Sequence, residues 1–331
     1  MTVTAETNLP SPTSSIDRAK ADLDLFGYCL LTSVLAPDEV EALRTRLVEQ
    51  AAAEAQAGVG LFDQGPGQKS IYTDDGRIDR TTGAAGHGGV NQRVVTLVNK
   101  GQAFRDLILN PVVLDMMRYW LGDSFMLCTT SANIANPGGV QQDLHSDQFW
   151  MPRSKRRSET HVRPGSIQRG EYYGDGEDEA DPFVAPPVGL TAAVFLVDID
   201  AEMGATRFVP GTHRSGLLPN PEAPDPDGTV QAVGPAGTVC FFDARLFHGT
   251  GANKSDRRRL VILNLYTVPQ IRQLENYTVA LRPDIRASAP PELLRILGFE
   301  QSLVGFGRVQ EGTALEVLSG QRELLGEMKP A

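Results

Sequence analysis

Beyond Gly122 the chain changes texture. Short apolar runs alternate with clusters of Gly, Pro, Asn and Asp, a pattern that suits a β architecture and not a helical one. The runs fall at 125–132, 145–150, 190–199, 206–209, 230–233, 238–242 and 260–267. Strands this short and this numerous predict two sheets packed as a sandwich or jelly roll. Upstream, residues 26–31 (FGYCLL) read as one further short strand. Pro37, with Asp38 and Glu39, then opens a helix: proline is pre-set for the first helical position, and acids favour the positive end of the helix dipole. Val40, Leu43, Leu47 and Ala51 follow at helical spacing and are predicted to pack on a sheet. A second helix is signalled by Asn110 as cap, Pro111 in the first turn, apolar Val113, Leu114, Met117 and Leu121, and Gly122 as the stop. The predicted fold class is mainly β, of the α+β kind, with helices flanking the strands.

Composition narrows the function. With 331 residues, 41% of them hydrophobic, the chain can bury a full core and is read as one domain over residues 16–331. Residues 1–15 are rich in Ser, Thr and Pro, lack the apolar content to fold, and are expected to be a disordered tail. A net charge of −10, from 41 acidic against 31 basic residues, argues against a nucleic-acid partner, which would need a basic face. Cys29, Cys128 and Cys240 are odd in number and widely spaced, without a CxxC pair. Neither a disulfide framework nor a thiolate zinc site is predicted, and a cytoplasmic setting fits. The opening MTVTAETNLPSPTSS lacks the basic start and apolar core of an export signal, and no apolar run approaches the roughly eighteen residues a membrane span needs. The expected partner is a small-molecule substrate, while oligomeric state leaves no signature in the sequence.

Two stretches are too polar for a core. Residues 58–89 are dense in Gly, Asp and Gln and read as a surface loop flanking a pocket. Within them GLFDQGPGQKS looks superficially like a phosphate loop, but Gln68 precedes the lysine where glycine is required and no strand leads in. The second stretch, an insertion at 152–188, is first basic (Arg153, Lys155, Arg156, Arg157) and then acidic (Glu177, Asp178, Glu179, Asp181). The basic run is expected to be a solvated surface, and a loop of this length beside a reactive centre is predicted to act as a lid.

That reactive centre is suggested by His145-Ser-Asp147, in one predicted strand, and by His248-Gly249 after another. Residues two apart in a strand face the same side, so the imidazole of His145 and the carboxylate of Asp147 are expected to meet at one point. A distant His248 completes a 2-His-1-carboxylate set, which holds Fe(II) and leaves coordination positions open, and which suits neither copper nor a structural zinc. Taken singly, each histidine reads more simply as a core or turn residue. Their combination, in a chain with only five histidines, favours the metal. Further on, Arg257 and Arg259 share a parity, so strand geometry alone does not choose between them.

Three segments in order, QQDLHSDQFW, GATRFVPGTHRSG and HGTGANKSDRRRLVILNLY, resemble the phytanoyl-CoA dioxygenase family of Fe(II)/2-oxoglutarate-dependent oxygenases. The resemblance extends from FGYCLL to about Val268. It implies a double-stranded β-helix (jelly-roll) core with helices on one side, and Fe(II), 2-oxoglutarate and O2 as cofactor and cosubstrates. It implies that His145, Asp147 and His248 are the catalytic metal ligands. Arg259, eleven residues after His248, is then the residue that grips the distal carboxylate of 2-oxoglutarate. A planar guanidinium does this through two parallel hydrogen bonds that an ammonium cannot reproduce. Arg257 and Arg258 are left exposed. Thr206 and Gln142 resemble residues that hydrogen-bond the cosubstrate carboxylates, against plain readings as a β-former at a strand start and a polar loop residue. His213 is expected to be structural and His87 solvated.

The implied reaction hydroxylates an unactivated C–H bond of a small molecule in specialised, natural-product metabolism, with 2-oxoglutarate converted to succinate and CO2. Asp147 fills the position that halogenases of this kind leave to a small residue, so halogenation is not expected. Desaturation or ring rearrangement are the alternatives within the same chemistry. The competing classes are a non-catalytic jelly-roll metal-binding or sensor protein, which would be free to lose these four residues, and a cupin-type isomerase or hydrolase, which would have no use for Arg259.

Overall fold

The computed structural model describes residues 9–68, 71, 73, 78–148, 184–220, 223–309 and 312–320. The chain opens with helix α1 (Ile16–Phe26), which the sequence reading left out. Ser15 caps it by accepting from the Arg18 N–H, and Gly27 ends it at φ 81°. A Cβ at Gly27 would lie 2.6 Å from the His213 ring, so both the turn and the close approach demand glycine. Order begins ahead of Ile16, because Thr13 already forms a parallel bridge with Leu31. Strand β1 (Tyr28–Leu31) follows, then α2 (Pro37–Gln56), whose Val40, Leu43, Leu47 and Ala51 are all buried as expected.

Strands β2 (Leu61–Asp63) and β3 (Asn91–Val95) lie at and just beyond the ends of the stretch read as a loop. Helices α3 (Gln102–Ile108) and α4 (Pro111–Leu121) come next. The second begins as its sequence predicts, with the Asn110 side chain accepting from the N–H groups of Val112 and Val113. The remaining strands are β4 (Met126–Ala135), β5 (Gly189–Phe195), β6 (Arg207–Phe208), β7 (Val230–Gln231), β8 (Val239–Asp243), β9 (His248–Gly249) and β10 (Arg259–Thr267). Short helices α5 (Tyr277–Ala280), α6 (Pro283–Ser288), α7 (Pro291–Ile296) and α8 (Ala314–Leu318) complete the described chain. Most of the insertion expected to form a lid lies outside the described residues, which resume at 184 and run directly into β5.

The strands form two antiparallel sheets, one of seven strands in the order β1-β8-β5-β10-β4-β3-β2 and one of three in the order β7-β6-β9. The fold is thus α+β with antiparallel sheets. Alternation along each strand sorts the large sheet into two faces. Leu260 and Ile262 of β10, Ala132 and Ile134 of β4, and Leu190, Ala192 and Val194 of β5 join Leu43, Leu47, Phe104, Ile108, Val113 and Met117 of the helices in one core. The other face looks toward the small sheet. Part of it is filled by a second core including Phe26, Tyr28, Phe195, Phe208 and Phe242. The rest is not filled.

Candidate metal centre

Residues 145–148 do not form a strand. His145 exchanges one antiparallel pair of backbone hydrogen bonds with His248, both 2.9 Å, and the chain then turns at Asp147 and Gln148. Residues 149 and 150 lie outside the described residues. The strand argument for a shared side therefore fails, and the turn does the work instead. It brings the Asp147 carboxylate to 3.7 Å from His145 Nε2 and 3.5 Å from His248 Nε2. His248 is held from the other side by β6, with Phe208 opposite it in register.

These three side chains offer ligand atoms that all lie within 4.8 Å of one another, the one such group of three or more among the described residues. Ring orientation favours metal binding. His145 Nδ1 lies 3.1 Å from the Asp143 carbonyl and His248 Nδ1 lies 2.9 Å from the Leu246 carbonyl. A carbonyl only accepts, so each Nδ1 carries a proton and Nε2 is the nitrogen turned to the space beside Asp147. Two neutral imidazoles and a carboxylate fit Fe(II). Phe242, with its ring centroid 4.7 Å from that of His248, shields one flank from water.

The centre opens on a cavity of about 170 Å³ between the two sheets. Arg259 lines it from the first position of β10 and is only 2% exposed. Its Nη1 donates to the Gly204 carbonyl at 2.7 Å and to the Thr206 hydroxyl at 3.3 Å, while Nε has no partner. Burial, and secondarily the charge of Arg93, pull the Arg259 pKa below the ordinary arginine value. A buried cation satisfied only by neutral acceptors calls for an anion, and a dicarboxylate answers that need. Gly204 is placed for this by its φ of 75°, and a Cβ there would come within 2.7 Å of the Gly251 carbonyl.

Thr206 and Gln142 both line the cavity. Gln142 Oε1 accepts from the Thr250 N–H at 3.4 Å, and its own N–H donates to the Thr250 carbonyl at 2.9 Å. Arg257 and Arg258 are exposed, the former paired with Asp200. His213 is buried, with Nε2 3.2 Å from the Asp24 carbonyl, and takes no part in the cluster, and His87 is exposed. Sequence reasoning missed Arg93 of β3, a second guanidinium on the cavity wall, which also pairs with Asp63 at 2.9 Å. Its signal was a lone cation inside NQRVV, a run hidden at the edge of the presumed loop. It also missed the inward hydroxyls Thr129, Ser131 and Thr191, whose strand parity sets them beside Leu263, Leu265 and Leu274.

The family profile of phytanoyl-CoA dioxygenase matches residues 23–261, a span that contains all four of His145, Asp147, His248 and Arg259. Dioxygenase af480 of Aspergillus fumigatus is 26% identical over 293 residues, covering 86% of this chain and 77% of that protein. Dioxygenase trt7 of Aspergillus terreus is 26% identical over 253 residues, 75% of this chain and 72% of the other. Among solved structures, the epimerase SnoN in complex with Fe3+, alpha ketoglutarate and nogalamycin RO is similar in fold. Its TM-score is 0.50 at 22% identity, over 76% of this chain and 83% of that one.

Proposed function

The chain belongs to the phytanoyl-CoA dioxygenase family, and from that premise we propose how its residues serve an Fe(II)- and 2-oxoglutarate-dependent oxygenation of a small molecule. The observation that carries the reading is the convergence of His145, Asp147 and His248 on one wall of a cavity whose other wall holds the under-satisfied Arg259. His145, Asp147 and His248 hold the iron. Arg259 and Thr206 receive the distal carboxylate of 2-oxoglutarate, and Gln142 and Arg93 add hydrogen bonds and positive charge on the same side. When bound, iron, 2-oxoglutarate and dioxygen together supply the oxidant that converts an unactivated C–H bond to an alcohol, with succinate and CO2 released.

The chain's own contribution is orientation and dryness. The two Nδ1–H groups are anchored on backbone carbonyls, so the ligand lone pairs are fixed before any metal arrives. Leu263, Leu265 and Leu274 offer an apolar wall on which a substrate carbon can rest away from water. We read residues 16–331 as one jelly-roll domain, in which the His145 segment extends the small sheet beside β9. The substrate is proposed to be a small natural product; SnoN, of similar fold, is an epimerase solved with nogalamycin RO. Succinate release measured with Fe(II), 2-oxoglutarate and air tests the proposal. It is expected to stop on chelation and in Asp147→Ala, and succinate formation indifferent to both would overturn it.

A further inference from the structure

The Asp147 carboxylate lies beside the two imidazoles, and its side chain is 30% exposed. Its aim must come from the backbone that carries it, and the residues on either side are deeply buried. Ser146 and Gln148 are each 4% exposed. The Ser146 hydroxyl and the Gln148 N–H both donate to the Ala244 carbonyl, at 2.9 Å each. The Gln148 side chain reaches the other way. Its Nε2 donates to the Pro186 carbonyl at 2.8 Å and its Oε1 accepts from the Val188 N–H at 3.0 Å.

In extended backbone the carbonyl of one residue and the N–H of the residue two further on lie on the same edge, spaced for a neighbouring strand. The primary amide of Gln148 takes that neighbour's place. Val188 is itself tied to the end of β10, its carbonyl accepting from the Thr267 hydroxyl at 2.7 Å. A continuous set of hydrogen bonds thus runs from the large sheet through Val188 and Gln148 to the turn at Asp147. We propose that Gln148 is a positioning residue for the metal: its amide locks the turn so that the Asp147 carboxylate faces the two imidazoles, and metal affinity depends on that lock. The proposal rests on the assignment of His145, Asp147 and His248 as ligands.

Ni(II) binding to the full-length metal-free protein, measured by titration calorimetry, tests it. Nickel favours imidazole enough to keep binding measurable when the carboxylate is removed. Wild type, Gln148→Met, Asp147→Ala and the double variant form a cycle. Gln148→Met keeps an unbranched side chain of similar length but neither hydrogen bond. Expected is a loss of about 10- to 100-fold in affinity when Asp147 is present, the usual cost of removing an outer support of a metal ligand, and less than about twofold when Asp147 is already alanine. An equal loss in both backgrounds would make Gln148 a support of the fold alone, and no loss in either would likewise overturn the proposal. Should Asp147→Ala by itself leave Ni(II) affinity unchanged, the ligand assignment falls, and this inference with it. If Gln148→Met does not fold, Gln148→Asn runs the same cycle, since its amide is one methylene too short to reach both Pro186 and Val188.

Discussion

At the β1–β8 end of the space between the sheets, Tyr28 stacks on Phe208 with centroids 4.8 Å apart, and Phe208 meets Phe242 at 5.2 Å. Phe26 and Phe195 close the same core. At the β10–β4–β3 end, the equivalent inward positions carry Arg259, Asn133, Ser131, Thr129 and Arg93, and the space stays hollow. One end is made of ring-on-ring contact between the sheets, which holds them at a fixed separation. The other exploits that separation to keep polar groups apart that would otherwise collapse onto each other. Arg259 Nε, Asn133 Oδ1 and Thr191 Oγ1 are buried without partners, and all three residues line the cavity. Each such atom costs about 1–3 kcal/mol until something bonds to it. The hollow end is therefore built for ligands, and the filled end supplies the stability that this requires.

The contrast predicts that the two ends respond to substitution in different measurements. Asp147→Ala, at the hollow end, is expected to lower succinate formation by more than about 100-fold, beyond what loss of an outer hydrogen bond to a ligand costs, with little change in the thermal midpoint of the metal-free protein. Phe195→Ala, at the filled end, is expected to remove about 3–5 kcal/mol of stability in denaturant titration. Its affinity for 2-oxoglutarate below the unfolding transition should stay at the wild-type value. If instead affinity falls in step with stability, the ends are not separable. Arg259→Met sharpens the comparison, because it should weaken 2-oxoglutarate binding by roughly 10- to 100-fold, the worth of a charged hydrogen bond. At the same time it is expected to raise the stability of the ligand-free protein by about 1 kcal/mol, since a buried charge with only neutral partners opposes folding. A fall in stability would show that Arg259 holds the fold together.

A smaller effect concerns Glu275, next to Leu274 at the cavity wall. Burial raises its pKa above the ordinary glutamate value, while hydrogen bonds from Tyr277, Thr130 and Thr96 pull the other way. The native state therefore holds this proton more tightly than the unfolded chain does. Its contribution to stability is complete below the ordinary glutamate range and is lost as pH rises through the raised native value. Glu275→Gln should flatten that decline in stability measured across the interval. An unchanged slope would assign the pH dependence to other groups.

Much of the helix-side core of the large sheet could be read in advance. Asn110, Pro111 and Gly122 bracket α4, and the spacing from Val40 to Ala51 places the buried stripe of α2, because these signals are local. Helix α1 was equally local, with Ser15 as cap, Gly27 as stop and Ala19, Leu23 and Phe26 buried, but the FGYCLL strand beside it drew the reading. The His145, Asp147, His248 and Arg259 group was legible through motif order and spacing, and the four do face one cavity. How Asp147 gets there was not legible. An alternation rule placed it on a strand, whereas a turn held by Gln148 against residues 186 and 188 delivers it, and that contact joins segments about forty residues apart. Arg93 escaped for the same reason: its place on the wall is fixed by pairing of β3 with β4, which no local pattern announces.

The central claim is that these residues form one centre for Fe(II) and 2-oxoglutarate together. Anaerobic titration of the metal-free protein, followed by visible absorption, tests it most directly. A charge-transfer band is predicted to appear only when Fe(II) and 2-oxoglutarate are both present, to be absent in His248→Ala, and to require markedly more 2-oxoglutarate in Arg259→Met. A band that forms equally well in all three proteins, or in none of them, would contradict the account.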